Sequence, residues 1–273
     1  MRLATVRTDT GTRAARVAAD DAVLLPAADL NELLRMPDWE SLAADDGPRF
    51  RPREDGFAPA VPRPNKIVCL GLNYRSHISE MGREPPAFPT LFAKFDGALI
   101  GAFDPIALPS VSDQVDWEAE LGVVIGRPAR RVDARHALDH VAGYTVVNDV
   151  TARDWQHRTR EFLSGKTFEA TTPVGPYLVT RDEFPDGEPD LAISCAVDGV
   201  VMQSARTGDL LFGVAETIAY ISQIITLLPG DLIATGTPGG VGAGRDPRVF
   251  LTAGQEVVTT IEGVGTQRNR CTR

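Results

Sequence analysis

The sequence is poor in cysteine, in basic charge and in long apolar runs, and each shortage removes a class of protein. Its three cysteines, Cys69, Cys195 and Cys271, are odd in number and far apart, and no CxxC pair occurs. That argues against a disulfide framework or a zinc knuckle and reads as reduced thiols. No apolar run approaches the roughly 18–20 residues that a helix needs to cross a bilayer. The first residues, MRLATVRTDT, have no apolar core of the kind a secretory signal carries, so a cytoplasmic location is the expectation. Basic residues are the minority: 28 Lys and Arg stand against 37 Asp and Glu, a formal charge of −9. Such a surface repels phosphate backbones and anionic lipid heads, so neither nucleic acid nor membrane is an expected partner. There is no internal repeat and no low-complexity tract.

What remains is an ordinary globular composition, 43% hydrophobic and 24% charged over 273 residues. That length allows one large domain, or a large domain with a small appendage, and either buries a sizeable core. The 25 Gly and 20 Pro point to many turns and hence many short strands. Residues 1–60 differ from the rest: 1–8 and 13–19 read as strands and 29–36 (DLNELLRM) as a short helix. A Pro- and Arg-rich stretch with Pro52, Pro59, Pro62 and Pro64 then favours extended chain and marks a boundary. The expected division is a small N-terminal domain over 1–60 and a larger domain over 61–273. In the larger part, short apolar runs bounded by turn residues predict strands over 67–71, 91–95, 119–126, 144–150, 177–180, 191–197, 232–235 and 256–262. Helices are predicted over 134–140 and over 209–226, where Leu210, Leu211, Val214, Ile218, Ile221 and Ile225 recur at helical spacing. Strands that outnumber helices in this way argue against a doubly wound parallel sheet and for an α+β fold with a mixed or rolled sheet.

Four segments carry chemistry. In Asp116-Trp117-Glu118-Ala119-Glu120, running into LGVVIG, the two glutamates are two apart and share one face of a strand. Carboxylates held so close repel, and one must take a proton or find a cation; a hard divalent cation with oxygen ligands resolves the conflict. An isolated E-x-E is more often a solvated strand edge, but here the pair abuts a buried run. Asp149 ends the apolar run YTVVND, where strands commonly fix active-site groups; metal ligation and a turn or helix-cap role are equally open for it. For Asp154 the cap or turn role is preferred. In GLNYRSHISEMG, His77 and Glu80 share a face if helical, and a carboxylate beside an imidazole suits it to deprotonate water; most His-x-x-Glu pairs are surface pairs. In LIATGTPGGVG a strand runs into a Gly-rich turn whose N–H groups suit a carboxylate or oxyanion, or form an ordinary hairpin. No helix follows, so it is not a dinucleotide fingerprint. His136 and His140 lack the glutamate after the first histidine that a zinc protease uses, and read as a surface helix.

Taken together, GLNYRSH, DWEAELGVVIG, NDVTARDWQ, GKTFEATTPVGP, TGTPGGVG and IEGVGTQRNR, in that order from about Lys66 to Cys271, resemble the fumarylacetoacetate hydrolase family. The resemblance implies a strand-rich mixed β-sheet roll with a small N-terminal domain, and a homodimer. It implies that Glu118, Glu120 and Asp149 are a metal triad holding Mg2+ or Mn2+, and that His77 and Glu80 are a water-activating dyad on a lid. Gln156 and Lys166 fall where the family places substrate-contacting side chains, with Lys166 also catalytic, and Thr237 falls at a carboxylate-contacting hydroxyl. Segment 74–89, with few apolar residues to bury, is expected to be a mobile lid. Arg158, Arg160 and Asp96 depart from common family patterns. The implied reaction is metal-dependent hydrolysis of a C–C bond in an acylpyruvate- or fumarylacetoacetate-like 2-oxo acid through an enolate. The alternative is a decarboxylase or isomerase of a 2-oxo or 2-hydroxydienoic acid in aromatic catabolism. The intact acids together with His77, Glu80 and Lys166 argue against a non-catalytic scaffold.

Overall fold

The computed structural model describes residues 1–19, 21–80, 82 and 84–273; the side chains of Glu54 and Glu80 lie outside that description. The strands at the centre of the molecule are Ala119–Ile125 and Val141–Asn148, and every residue of both is buried. Both faces are covered, which is why their sequences run apolar instead of alternating. They pair antiparallel, Glu120 opposite Val147 and Gly122 opposite Thr145. A Cβ on Gly122 would sit 2.7 Å from methyls of Thr145 and Val147, so only glycine lets the two strands pack as they do.

These strands belong to a ten-stranded sheet. Its order is Arg49–Phe50, Asp21–Leu24, Gly11–Ala18, Arg2–Thr8, Leu178–Thr180, Val141–Asn148, Ala119–Ile125, Leu232–Ala234, Ile67–Gly71, Thr90–Lys94. Among the described residues its one parallel pair is Leu232–Ala234 with Ile67–Gly71, so the sheet is mixed. The N-terminal strands join it where Arg2 and Leu3 pair with Val179 and Leu178. A five-stranded sheet, ordered Val200–Arg206, Ala192–Val197, Glu256–Ile261, Gly265–Thr272, Ile106–Ala107, shares an apolar core with it. The large sheet is rolled. The strands ending at Lys94 and Asn148 are four places apart, about 19 Å if flat, yet Lys94 Nζ lies 2.7 Å from Asp149 Oδ1.

Of the described strands that a reading of apolar patterning leaves out, the two longest are Val200–Arg206 and Gly265–Thr272. Val200–Arg206 is an edge strand with three exposed positions at Val200, Val201 and Ser204 and a fourth at Arg206. Gly265–Thr272 turns Gln267 and Asn269 inward, and these polar side chains donate to backbone carbonyls of Val146, Gly175, Gly101 and Asp104. The helix expected over 209–226 spans Val214–Ile224 instead, starting after Gly213. Its expected first turn is taken by other partners: Asn73, Arg75 and Ser76 bind Asp209 and the backbone of Leu210, Leu211 and Phe212. A short helix at Trp39–Ala44, absent from the reading of the sequence, buries Trp39 and Ala43.

Candidate metal and substrate site

Glu118 stands just before the Ala119–Ile125 strand and Asp149 just after Val141–Asn148, so the antiparallel pairing itself sets one acid against the other. The register is pinned twice. The Asp149 N–H donates to the Glu118 carbonyl at 2.8 Å, and Asn148 Oδ1 accepts from the Glu118 N–H at 2.9 Å. Glu120, two residues along, completes the cluster. One oxygen each of Glu118, Glu120 and Asp149 lies within 4.8 Å of the others, and all three residues are buried.

Each acid has different company. Glu120 Oε2 accepts the Gly236 N–H at 2.9 Å, while Oε1 is buried without a hydrogen bond. Burial, and then the charges of Asp149 and Glu118, push the Glu120 carboxyl well above the ordinary range. Burial pushes Asp149 the same way, but the ammonium groups of Lys166 and Lys94 outweigh it and hold that carboxyl low. Lys166 Nζ bridges Glu118 Oε2 and Asp149 Oδ2, the second at 2.7 Å, and its own proton affinity rises because the attraction of the two acids exceeds the cost of burial. Arg153 binds Asp116 Oδ2 at 2.8 Å, Glu118 Oε1 at 2.7 Å and Gln156 Oε1 at 2.9 Å. Asp116 is in turn saturated by the N–H groups of Trp117, Gly242 and Ala243.

A hard divalent cation fits this donor set. Three carboxylates converge, and one of them presents an unpartnered buried oxygen that is costly to leave bare.

Glu118 and Glu120 line a cavity of about 400 Å³ together with His77, Gln156, Lys166 and Thr237. Leu70, Leu72, Phe92 and Phe162 form its apolar side. Leu72 sits at φ 57°, a conformation disfavoured for a leucine, at the turn between the Ile67–Gly71 strand and the segment leading to His77. Thr237 Oγ1 accepts from Gln203 Nε2 at 2.8 Å. Phe92 meets the Phe162 ring edge-on and lies 4.9 Å beneath Lys166 Nζ.

His77 is carried on the helix Arg75–Glu80. Glu80 lies at the end of that helix, and its side chain is outside the described residues. The expectation that 74–89 has little to bury fails for its first half. Tyr74 and Ile78 are buried, and the helix start is held where Asp209 Oδ2 accepts the Ser76 N–H at 3.1 Å. Asn73 adds bonds to Phe212 and Thr235 carbonyls.

The reading of the sequence missed Arg153, Asp116 and Lys94 as parts of this cluster. Arg153 and Asp116 lie inside quoted motifs, and Lys94 is a lone cation in the run LFAKF, which is the mark of a buried, paired lysine. Arg158 stacks on Trp155 at 3.5 Å and is exposed, and Arg160 and Asp96 are also exposed; none of the three is among the described residues lining the cavity.

The model of the fumarylacetoacetate hydrolase C-terminal domain matches residues 66–272. The mitochondrial oxaloacetate tautomerase of Bos taurus is 47% identical over 216 residues, 78% of this chain and 68% of that protein. The fumarylacetoacetate hydrolase of Exiguobacterium antarcticum superposes with a TM-score of 0.89 at 32% identity, covering 100% of this chain and 99% of that one. The fumarylpyruvate hydrolase of Pseudomonas aeruginosa, solved with Mn2+ and pyruvate, gives 0.69 at 33% identity over 80% of this chain and 92% of that one.

Proposed function

The chain belongs to the fumarylacetoacetate hydrolase family, and on that premise we propose that it is a divalent-metal-dependent enzyme that interconverts the keto and enol forms of a small 2-oxo acid of the oxaloacetate type. The observation that carries this reading is the buried triad with its bare Glu120 Oε1, two of whose acids, Glu118 and Glu120, line a cavity that also presents Lys166 and His77. Glu118, Glu120 and Asp149 would hold Mg2+ or Mn2+. The cation supplies a Lewis acid that draws electron density from the substrate's neighbouring oxygens.

The chain's own residues do the rest. The His77 imidazole takes a proton from carbon 3 of the substrate, and the electron pair moves into the bond between carbons 2 and 3. Charge develops on the carbon-2 oxygen, where the Lys166 ammonium donates a hydrogen bond; that oxygen then takes up a proton to give the enol, and the His77 imidazolium releases its own to solvent. Arg153 holds Gln156 by its Oε1, which leaves the Gln156 Nε2 donors for a substrate oxygen. The Thr237 hydroxyl meets the substrate carboxylate, and the apolar wall limits water.

A second reading is hydrolysis of a C–C bond in an acylpyruvate, favoured by the likeness to a hydrolase that binds Mn2+ and pyruvate. There His77, with Glu80, would activate water for attack on the distal carbonyl. In either reading we take the protein to act as a cytoplasmic homodimer whose residues 1–60 form a small N-terminal domain. Among the described residues no helix is long and apolar enough to cross a membrane. Oxaloacetate, acylpyruvates and 2-hydroxydienoates, each followed by enol absorbance with and without Mg2+, test the proposal. Metal-dependent turnover of oxaloacetate is the expected result. Turnover of acylpyruvates alone selects hydrolysis, and no metal dependence on any of them defeats both readings.

A further inference from the structure

Lys94 closes the edge strand Thr90–Lys94, and its side chain has no exposed surface. A buried ammonium costs several kcal/mol unless it is paired, and its partners are Asp149 Oδ1 at 2.7 Å and the Val150 carbonyl at 3.3 Å. Asp149 therefore meets two lysines, one on each oxygen: Lys94 on Oδ1 and Lys166 on Oδ2. The two are not equivalent. Lys166 lines the cavity, and Lys94 is not among the described residues that do. Both oxygens of Asp149 are thus held, and of the two lysines it is Lys166, at the cavity, whose oxygen an entering cation can take over, while Lys94 keeps its hold on Oδ1.

We propose that Lys94 is a positioning residue that sets the metal affinity of the site by holding Asp149 through Oδ1, so that Oδ2 stays on the side of Glu118, where Lys166 bridges the two. This rests on reading the triad as a divalent-cation site. The proposal has a sign that a simple charge effect does not share. An ammonium that acted only through its charge would repel a divalent cation, and deleting it would tighten binding. An ammonium that orients a ligand strengthens binding, and partners of this kind are typically worth about 10–100-fold in metal affinity.

The test is calorimetric titration of Mn2+ into metal-free wild type, Lys94→Met and Lys94→Arg, with the electron paramagnetic resonance spectrum of the bound Mn2+ as a second readout. Lys94→Met is expected to bind Mn2+ about 10–100-fold more weakly and to change the spectrum; Lys94→Arg, which keeps a charged donor, recovers most of the affinity and the wild-type line shape. Equal or tighter binding by Lys94→Met, with an unchanged spectrum, overturns the proposal even if its melting point falls, because a merely structural lysine behaves that way. Should Lys94→Met not fold, Lys94→Gln takes its place: its amide stops short of Asp149, so the same loss is expected and the same result overturns it. If wild type binds no Mn2+, the metal reading itself fails and the Lys94 proposal falls with it. Binding by wild type that survives in Lys94→Met removes the Lys94 proposal alone.

Discussion

The Gly236 N–H donates to Glu120 Oε2 at 2.9 Å, and the other oxygen of that carboxylate is buried with no hydrogen bond. One half of Glu120 is thus fixed by the turn that follows the Leu232–Ala234 strand, and the other half is left without a partner in the cluster of Glu118, Glu120 and Asp149. Gly236 is at φ 98°, and a Cβ there would come within 2.9 Å of Asn73 Cβ. Gly236→Ala is expected to cost about 1–3 kcal/mol of stability through backbone strain, read by urea unfolding. It should also weaken Mn2+ binding, because the donor to Glu120 moves.

Lys166 is the buried cation that shares the most with the acids. Removing one partner of a buried ion pair is costly, about 3–5 kcal/mol. Lys166→Met should therefore melt well below wild type without metal. Added Mn2+ should raise its melting temperature more than it raises that of wild type, since the cation replaces the lost charge. Differential scanning calorimetry with and without Mn2+ checks both parts.

How much of this was legible in the sequence follows from how far each signal reaches. Glu118 and Glu120 share a strand, so their common face could be read from spacing alone. Asp149 was visible as the acid ending an apolar run, but its meeting with Glu118 depends on a strand pairing fixed by Asn148, which no local pattern reveals. Lys94 lies four strands away from Asp149, and only the rolling of the sheet joins them. The Gly265–Thr272 strand was hidden because two of its three inward residues, Gln267 and Asn269, are polar groups whose partners are distant backbone carbonyls. The start of the helix carrying His77 looked loose because the groups that hold it, Asp209 through Phe212, come more than 130 residues later.

His77 separates the two readings of the chemistry. His77→Ala should lower oxaloacetate tautomerisation about 10²–10⁴-fold if the imidazole moves the carbon-3 proton. Mn2+ affinity should stay near that of wild type, because His77 is not one of the clustered carboxylates. If His77→Ala keeps oxaloacetate turnover and loses acylpyruvate cleavage, the imidazole serves water activation and hydrolysis is the better reading.

The homodimer is checked by light scattering at micromolar concentration. The expected mass is that of two 29.4 kDa chains. A mass near that of one chain counts against it.

The most direct test of the account is the rate at which enol oxaloacetate converts to the keto form, followed by enol absorbance, in wild type and Glu120→Gln, each before and after chelation of divalent cations. The expected result is that chelation lowers the wild-type rate about 10²-fold or more, that Mg2+ or Mn2+ restores it, and that Glu120→Gln is slow throughout, as the loss of a preorganised charge-stabilising group requires. A wild-type rate unchanged by chelation, or a Glu120→Gln rate equal to wild type with metal present, would contradict it.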